Sequence, residues 1–148
     1  MNDTKTEEMS TQILINLAKD VAEKAHYGQF RFDGTTPYFH HPMAVADKVE
    51  DRLKPIAYLH DVPEDTSVKL DDLRRMGFPK YVLDAVDLLT KKPNQEYWMY
   101  LQNMVHNPDA VKVKLADIAH NLSSTPTKSM TKKYLKALDF FKSKGFST

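Results

Sequence analysis

The sequence predicts an all-α protein, a bundle of about eight helices. Apolar residues recur at helical spacing in most segments, prolines, asparagines and glycines punctuate those segments, and no stretch shows the strict alternation of a half-buried strand. Residues 1–10 are polar and read as a disordered tail, which leaves 11–148 as one domain.

After a cap at Ser10 or Thr11, the residues Leu14, Leu17, Ala18, Val21, Ala22 and Ala25 form one apolar stripe and define the first helix. The segment from His26 to His40 contains Gly, Asp and Pro without a sustained period, so it reads as a long loop. Its five aromatic rings (Tyr27, Phe30, Phe32, Tyr38, Phe39) argue that it is ordered. Pro42 suits the first turn of a second helix with Val45, Val49 and Leu53 on one face, which puts His41 at a helix N-terminus. Pro55 opens a third helix, apolar nearly all round from Ile56 to Leu59 and therefore expected at the buried centre. Pro63 should end it just after His60-Asp61 and leave Glu64 and Asp65 in the exit loop. Later helices are expected from Leu70 to Met76 before Gly77, from Pro79 through Leu89, and from Glu96 to Val105. Asn107-Pro108 caps and opens another that runs to Leu122, and Thr131–Ser143 forms the last.

Composition narrows the function classes. A net charge of +1 without basic blocks gives no footprint for nucleic acid, so an anionic ligand must be met locally. The absence of cysteine excludes a disulfide framework and a thiolate metal site. No apolar run approaches a membrane span, and the expected location is the cytoplasm.

The chemistry concentrates at His60-Asp61-Val62-Pro63-Glu64-Asp65-Thr66. Nitrogen and oxygen donors crowd there at the end of a buried helix, a donor set that suits Mn²⁺, Fe²⁺ or Zn²⁺. With His41 upstream and Asp117 downstream, the order His, His-Asp, Asp resembles the ligand set of HD-domain metal-dependent phosphohydrolases.

Three blocks extend that likeness: Ala25–Arg31 leading to Pro37–Ala46, then His60–Thr66, then Val113–Leu122. Together they resemble the (p)ppGpp hydrolase domain of the RelA/SpoT family, in particular its single-domain small alarmone hydrolases. The resemblance implies an HD-domain bundle that removes the 3′-pyrophosphate of ppGpp or pppGpp. It implies His41, His60, Asp61 and Asp117 as ligands of one Mn²⁺, other divalent metals being possible, and Glu64 with Asp65 as the acidic pair serving the attacking water. It implies Arg31 in nucleotide binding, with Asn121 lining the site and Ser124 a further contact. The chain departs from the family pattern in four places: a shortened His41–His60 interval, one extra residue in Gly34–Pro37, Phe32 in place of a basic residue, and Pro63 in place of an aliphatic one. Two alternatives stay open, an HD hydrolase of another nucleotide and a catalytically weak alarmone-binding protein.

The remaining histidines, His26, His40, His106 and His120, read as surface or hydrogen-bonded core residues, with His40 able to exchange roles with its neighbour. Tyr97, Trp98 and Tyr100 read as helix packing. Lys91-Lys92, Lys112-Lys114 and Lys132-Lys133-Lys136 read as solvated faces, some of the first two pairs able to line an anion site.

Overall fold

In the computed structural model, which describes residues 3–147 with side chains from residue 10, nine α-helical segments and one 3-10 turn follow in order. They are α1 (Asp3–Ala25), α2 (His40–Asp47), the 3-10 turn (Asp51–Leu53), α3 (Lys54–Leu59), α4 (Val62–Asp65), α5 (Leu70–Arg75), α6 (Lys80–Leu89), α7 (Tyr97–Met104), α8 (Pro108–Ser123) and α9 (Lys128–Ser143). Extended pairing among the described residues is limited to one isolated bridge, Phe30 with Pro37. No described helix is long and apolar enough to cross a membrane.

The all-α expectation holds, and the centre falls where the apolar pattern placed it. Pro55 to Leu59 of α3 are all buried, and α3 packs against α1, α2, α6 and α8. Ile56 and Leu59 are fully enclosed. Burying each such side chain contributes about 1.5–3 kcal/mol.

Four boundaries differ from the expectation. Helix α1 begins at Asp3 instead of Ser10 or Thr11, because no proline or glycine stops the helix over residues 3–10; the remainder of the expected tail, Met1 and Asn2, lies outside the described residues. Helix α2 starts at His40, with Pro42 still in the first turn, and stops at Asp47 instead of continuing to Leu53. The Lys54 ammonium explains the early stop: it donates to the carbonyls of Ala46 (2.8 Å) and Val49 (2.9 Å), so the chain can turn without orphaned acceptors. The exit after His60-Asp61 is a helical turn instead of a loop, with Asp65 N–H donating to Asp61 C=O (3.0 Å) and Thr66 N–H to Val62 C=O (3.0 Å). Pro63 sits in the first turn of that segment, where its missing N–H is not needed, so it starts a new axis as well as ending the old one. At the C-terminal end α9 begins at Lys128, because the Thr127 hydroxyl accepts from Met130 N–H (3.1 Å) and caps it.

The long aromatic loop is folded back on itself. Arg31 N–H donates to Thr36 C=O and Tyr38 N–H to Gln29 C=O, both at 2.8 Å. At the tip Gly34 takes φ +77°, a conformation that side chains resist, and the Asp33 carboxylate accepts from Thr35 N–H and Thr36 N–H (both 2.9 Å). These hydrogen bonds, with that from the Thr36 hydroxyl, pull the Asp33 carboxyl down to about 2. Tyr38 and Phe39 turn inward, whereas Tyr27, Phe30 and Phe32 remain exposed.

Candidate metal centre

Four elements bring the expected donors together. His41 comes from the first turn of α2, His60 and Asp61 from the break between α3 and α4, and Asp117 from the middle of α8. His41, His60 and Asp117 are all buried, and each presents one donor atom within 4.8 Å of the others. His41 Nε2 is 2.7 Å from Asp117 Oδ1, and His60 Nε2 is 3.4 Å from the same oxygen. Asp61 supplies a fourth donor, its Oδ2 lying 3.1 Å from His60 Nε2 and 3.7 Å from His41 Nε2.

Proton bookkeeping indicates that this cluster is built for a cation. His60 Nδ1 lies 2.6 Å from the Ala57 carbonyl oxygen, which can only accept, so Nδ1 carries the proton and Nε2 carries a lone pair in the neutral ring. That Nε2 is buried without a hydrogen-bond partner, facing the two carboxylate oxygens. Lone pairs turned on one another in a buried site repel unless a positive charge stands between them. Bonds of about 2.0–2.2 Å to a shared ion give edges of about 2.8–3.6 Å in tetrahedral or octahedral arrangements, close to the separations here. The residues therefore fit one divalent ion. Without it a proton takes the same place: burial disfavours the charged imidazole, but the Asp61 and Asp117 carboxylates outweigh burial and raise His60 well above its ordinary value.

Around the donors stands a set of partners that sequence reasoning missed. Tyr38 donates its hydroxyl to Asp61 Oδ2 (2.5 Å), and burial together with the Asp61 charge raises its ionisation far enough to keep it a donor. Lys114 donates to Asp117 Oδ2 (2.9 Å), which leaves Oδ1 toward the cluster. Burial opposes its charge, but Asp117 more than compensates and holds Lys114 well above the ordinary lysine range. The solvated-face reading of Lys114 is thus corrected: Lys112 is exposed and pairs with Glu50, while Lys114 turns into the protein. Its spacing of three from Asp117 on α8 was the available signal. His120 is the third: its Nδ1 is 2.7 Å from His41 Nδ1, and burial, followed by the nearby positive groups, lowers His120 to about 4. A neutral His120 can accept the Nδ1–H of His41, which frees His41 Nε2 as a donor atom. His40 is exposed and takes no part in the cluster, His106 is exposed, and His26 is buried against Gln29 (2.8 Å).

The acidic pair lies at the rim of the same cavity, which has a volume of about 200 Å³. Glu64 Oε1 accepts from Lys91 N–H (2.7 Å), and partial desolvation raises its carboxyl. Desolvation, then the Asp61 and Glu64 charges, raise Asp65 to about 6.

The expected nucleotide contacts converge beside the donors. Arg31 donates to Asn121 Oδ1 (3.2 Å), and Asn121 Nδ2 donates to Asp117 Oδ1 (3.2 Å), a chain from the loop to the cluster. On the far side of Arg31 lies a second cavity of about 680 Å³, bordered by Phe32, Met43, Asp47, His120 and Ser124. Arg31 packs across the Phe32 ring at 4.8 Å, and Ser124 donates its hydroxyl to the His120 carbonyl (2.8 Å). The aromatic reading of α7 holds for Tyr100, buried with its hydroxyl on the Leu89 carbonyl, and for Trp98, packed near Phe140. Tyr97 differs: it lines the donor cavity, and its hydroxyl is buried without a partner.

No family model matches the chain. Among curated proteins, it is 36% identical over 135 residues to a GTP pyrophosphokinase of Streptomyces coelicolor, covering 82% of this chain and 16% of that protein. It is 30% identical over 124 residues to a guanosine-3′,5′-bis(diphosphate) 3′-pyrophosphohydrolase of Borreliella burgdorferi, covering 72% of this chain and 18% of that one. It is 32% identical over 118 residues to the bifunctional (p)ppGpp synthase/hydrolase SpoT of Escherichia coli, covering 69% and 16% respectively. The chain thus spans less than a fifth of the length of these relatives. A solved structure described as a metazoan ortholog of SpoT that hydrolyzes ppGpp superposes with a TM-score of 0.68 at 24% identity, covering 84% of this chain and 80% of that one. The matched sequence and the shared all-helical fold agree in likening this chain to one stretch of the SpoT-type relatives.

Proposed function

We propose that this chain hydrolyses the 3′-pyrophosphate of (p)ppGpp, giving GDP or GTP and pyrophosphate. The observation that carries this reading is the continuity of the donor cluster with the Arg31 cavity through Asn121. It provides one place for a metal ion and a phosphoryl group, and an adjoining place of nucleoside size. In the reaction, water adds to the phosphorus attached to ribose O3′, the P–O3′ bond breaks, and O3′ gains a proton. His41, His60, Asp61 and Asp117 are the proposed ligands of one ion, with Mn²⁺ the proposed metal. When bound, such an ion supplies Lewis-acid activation of water and neutralises phosphate charge.

The remaining roles belong to the chain. Glu64, held through one oxygen by Lys91 N–H, has its other oxygen free to take a proton from the attacking water, and Asp65 stands beside it. Arg31 stacks on or grips the nucleotide, Asn121 orients it toward the cluster, and Ser124 borders the nucleoside cavity. Residues 11–148 act as one unit, without nucleic acid or membrane as partner, and a cytoplasmic location suits both the nucleotide and the lack of cysteine.

Two substitutions test the parts separately. Arg31→Ala is expected to weaken nucleotide binding by about 1–3 kcal/mol with metal content unchanged, read by calorimetry and elemental analysis. Phe32→Lys leaves hydrolysis intact or lowers KM. Unchanged binding of every tested nucleotide by Arg31→Ala would return the chain to an HD hydrolase of another substrate. His120→Leu removes the acceptor for His41 Nδ1–H and should lower metal affinity by about 10–100-fold. His120→Asn, which keeps an acceptor oxygen near the same position, should recover much of it.

A further inference from the structure

The donor cavity contains positive charge that the proposed ligands and acidic pair leave unexplained. Lys91, Lys114 and Lys133 all line it. Lys114 is committed to Asp117, but among the described residues neither Lys91 nor Lys133 forms an ion pair, although other lysines such as Lys92 and Lys112 do. Lys133 reaches in from α9 with its ammonium 4.4 Å from the centre of the Tyr97 ring, and 5.8 Å from that of Tyr134. The Tyr97 hydroxyl next to it is fully buried with no hydrogen-bond partner, and burial raises its ionisation, so it remains a donor. A partly desolvated cation without an ion-pair partner and a buried donor without an acceptor, bordering the same small cavity, suit an anion with several oxygens.

We infer that Lys133 and Tyr97, supported by Lys91, form an anion subsite that holds the distal phosphate of a substrate diphosphate and, after cleavage, the released pyrophosphate. This inference rests on the proposed reaction and locates the leaving group within it. Charge in the cavity favours the assignment. Asp61, Glu64, Asp65 and Asp117 outnumber the three lysines by one, so a divalent ion makes the cavity positive by one. Without Lys91 and Lys133 the same cavity stays negative with the ion present and repels a diphosphate. Desolvation of Lys133 and its repulsion by Lys114 and Lys91 make its charged form costly, a cost that an arriving phosphate relieves. The Tyr97 ring fixes the ammonium by a cation–π contact and presents its hydroxyl to the same space.

The test is calorimetric titration of inorganic pyrophosphate into the Mn²⁺-loaded protein, compared with orthophosphate. Wild type should bind pyrophosphate in preference to orthophosphate. Lys133→Met should weaken pyrophosphate binding by about 10- to 100-fold, Lys133→Arg should restore most of it, and Tyr97→Phe should weaken it by about 2- to 10-fold, with thermal melting confirming the fold of each. Lys136→Met on the outer side of α9 should leave it unchanged. Pyrophosphate bound by Lys133→Met as tightly as by wild type overturns the subsite, even if the wild type hydrolyses (p)ppGpp. Loss of binding in Lys133→Met establishes the subsite, even if the wild type leaves (p)ppGpp uncleaved and the substrate reading fails.

Discussion

Asp61→Ala or His60→Ala is expected to abolish metal binding and with it hydrolysis. The four donor atoms lie within 2.7–3.7 Å of their neighbours, so each is placed to share one ion with the others. Outer partners of metal ligands cost about 10–100-fold in affinity when removed, and a direct ligand should cost more. Asp61→Asn is the sharper version, since it preserves shape and the contact with the Tyr38 hydroxyl while removing the charge. Removing His60 also leaves the Ala57 carbonyl without its imidazole donor, so thermal melting must accompany that variant. Elemental analysis after gel filtration reads the outcome directly. Full metal occupancy in Asp61→Asn and His60→Ala would remove the cluster from the account.

Glu64→Gln is expected to separate chemistry from binding. The Gln amide can keep an oxygen for the Lys91 N–H and leaves all four proposed ligands in place, so metal and nucleotide should bind as in wild type. The group that takes a proton is gone, and kcat should fall by about 10²–10⁴ with KM little changed. Near-normal turnover would transfer the role to Asp65, which shares the rim and whose proton affinity is raised to about 6 by desolvation and its acidic neighbours.

Residue patterns in the chain carried much of this arrangement. The helix-forming stripes, the apolar centre at Ile56–Leu59, and the capping Asn107-Pro108 each depend on local rules of spacing and termination, so they could be read directly. The motif residues were legible for a different reason: His41, His60, Asp61 and Asp117 are chemically distinctive and arrive in a recognisable order. The boundaries around them were less legible. Ending α2 at Asp47 depends on the Lys54 ammonium finding two carbonyls across a turn, and nothing local to Asp47 announces it. Pro63 was read as a stop, yet the same missing N–H that stops one helix is harmless in the first turn of another.

The partners of the cluster were hidden for a tertiary reason. Tyr38 reaches Asp61 across 23 positions, and His120 reaches His41 across 79, contacts that exist only after the loop and α8 close over the same cavity. Lys133 reads as one of three solvated lysines on an amphipathic helix, and its side chain is indeed largely exposed. Only the position of α9 beside Tyr97 turns that ammonium toward the cavity. By contrast, Arg31 and Asn121 were expected at one site from the resemblance and are joined by a hydrogen bond of 3.2 Å.

The bond expected to break is P–O3′ of the 3′-diphosphate. Incubation of the Mn²⁺-loaded protein with ppGpp, followed by separation of nucleotides and separate assays for pyrophosphate and orthophosphate, identifies that bond. GDP and pyrophosphate are expected in equal amounts, with no early orthophosphate and no turnover in Asp61→Asn. Orthophosphate as the first product, or intact ppGpp alongside rapid cleavage of a different nucleotide, would contradict this expectation.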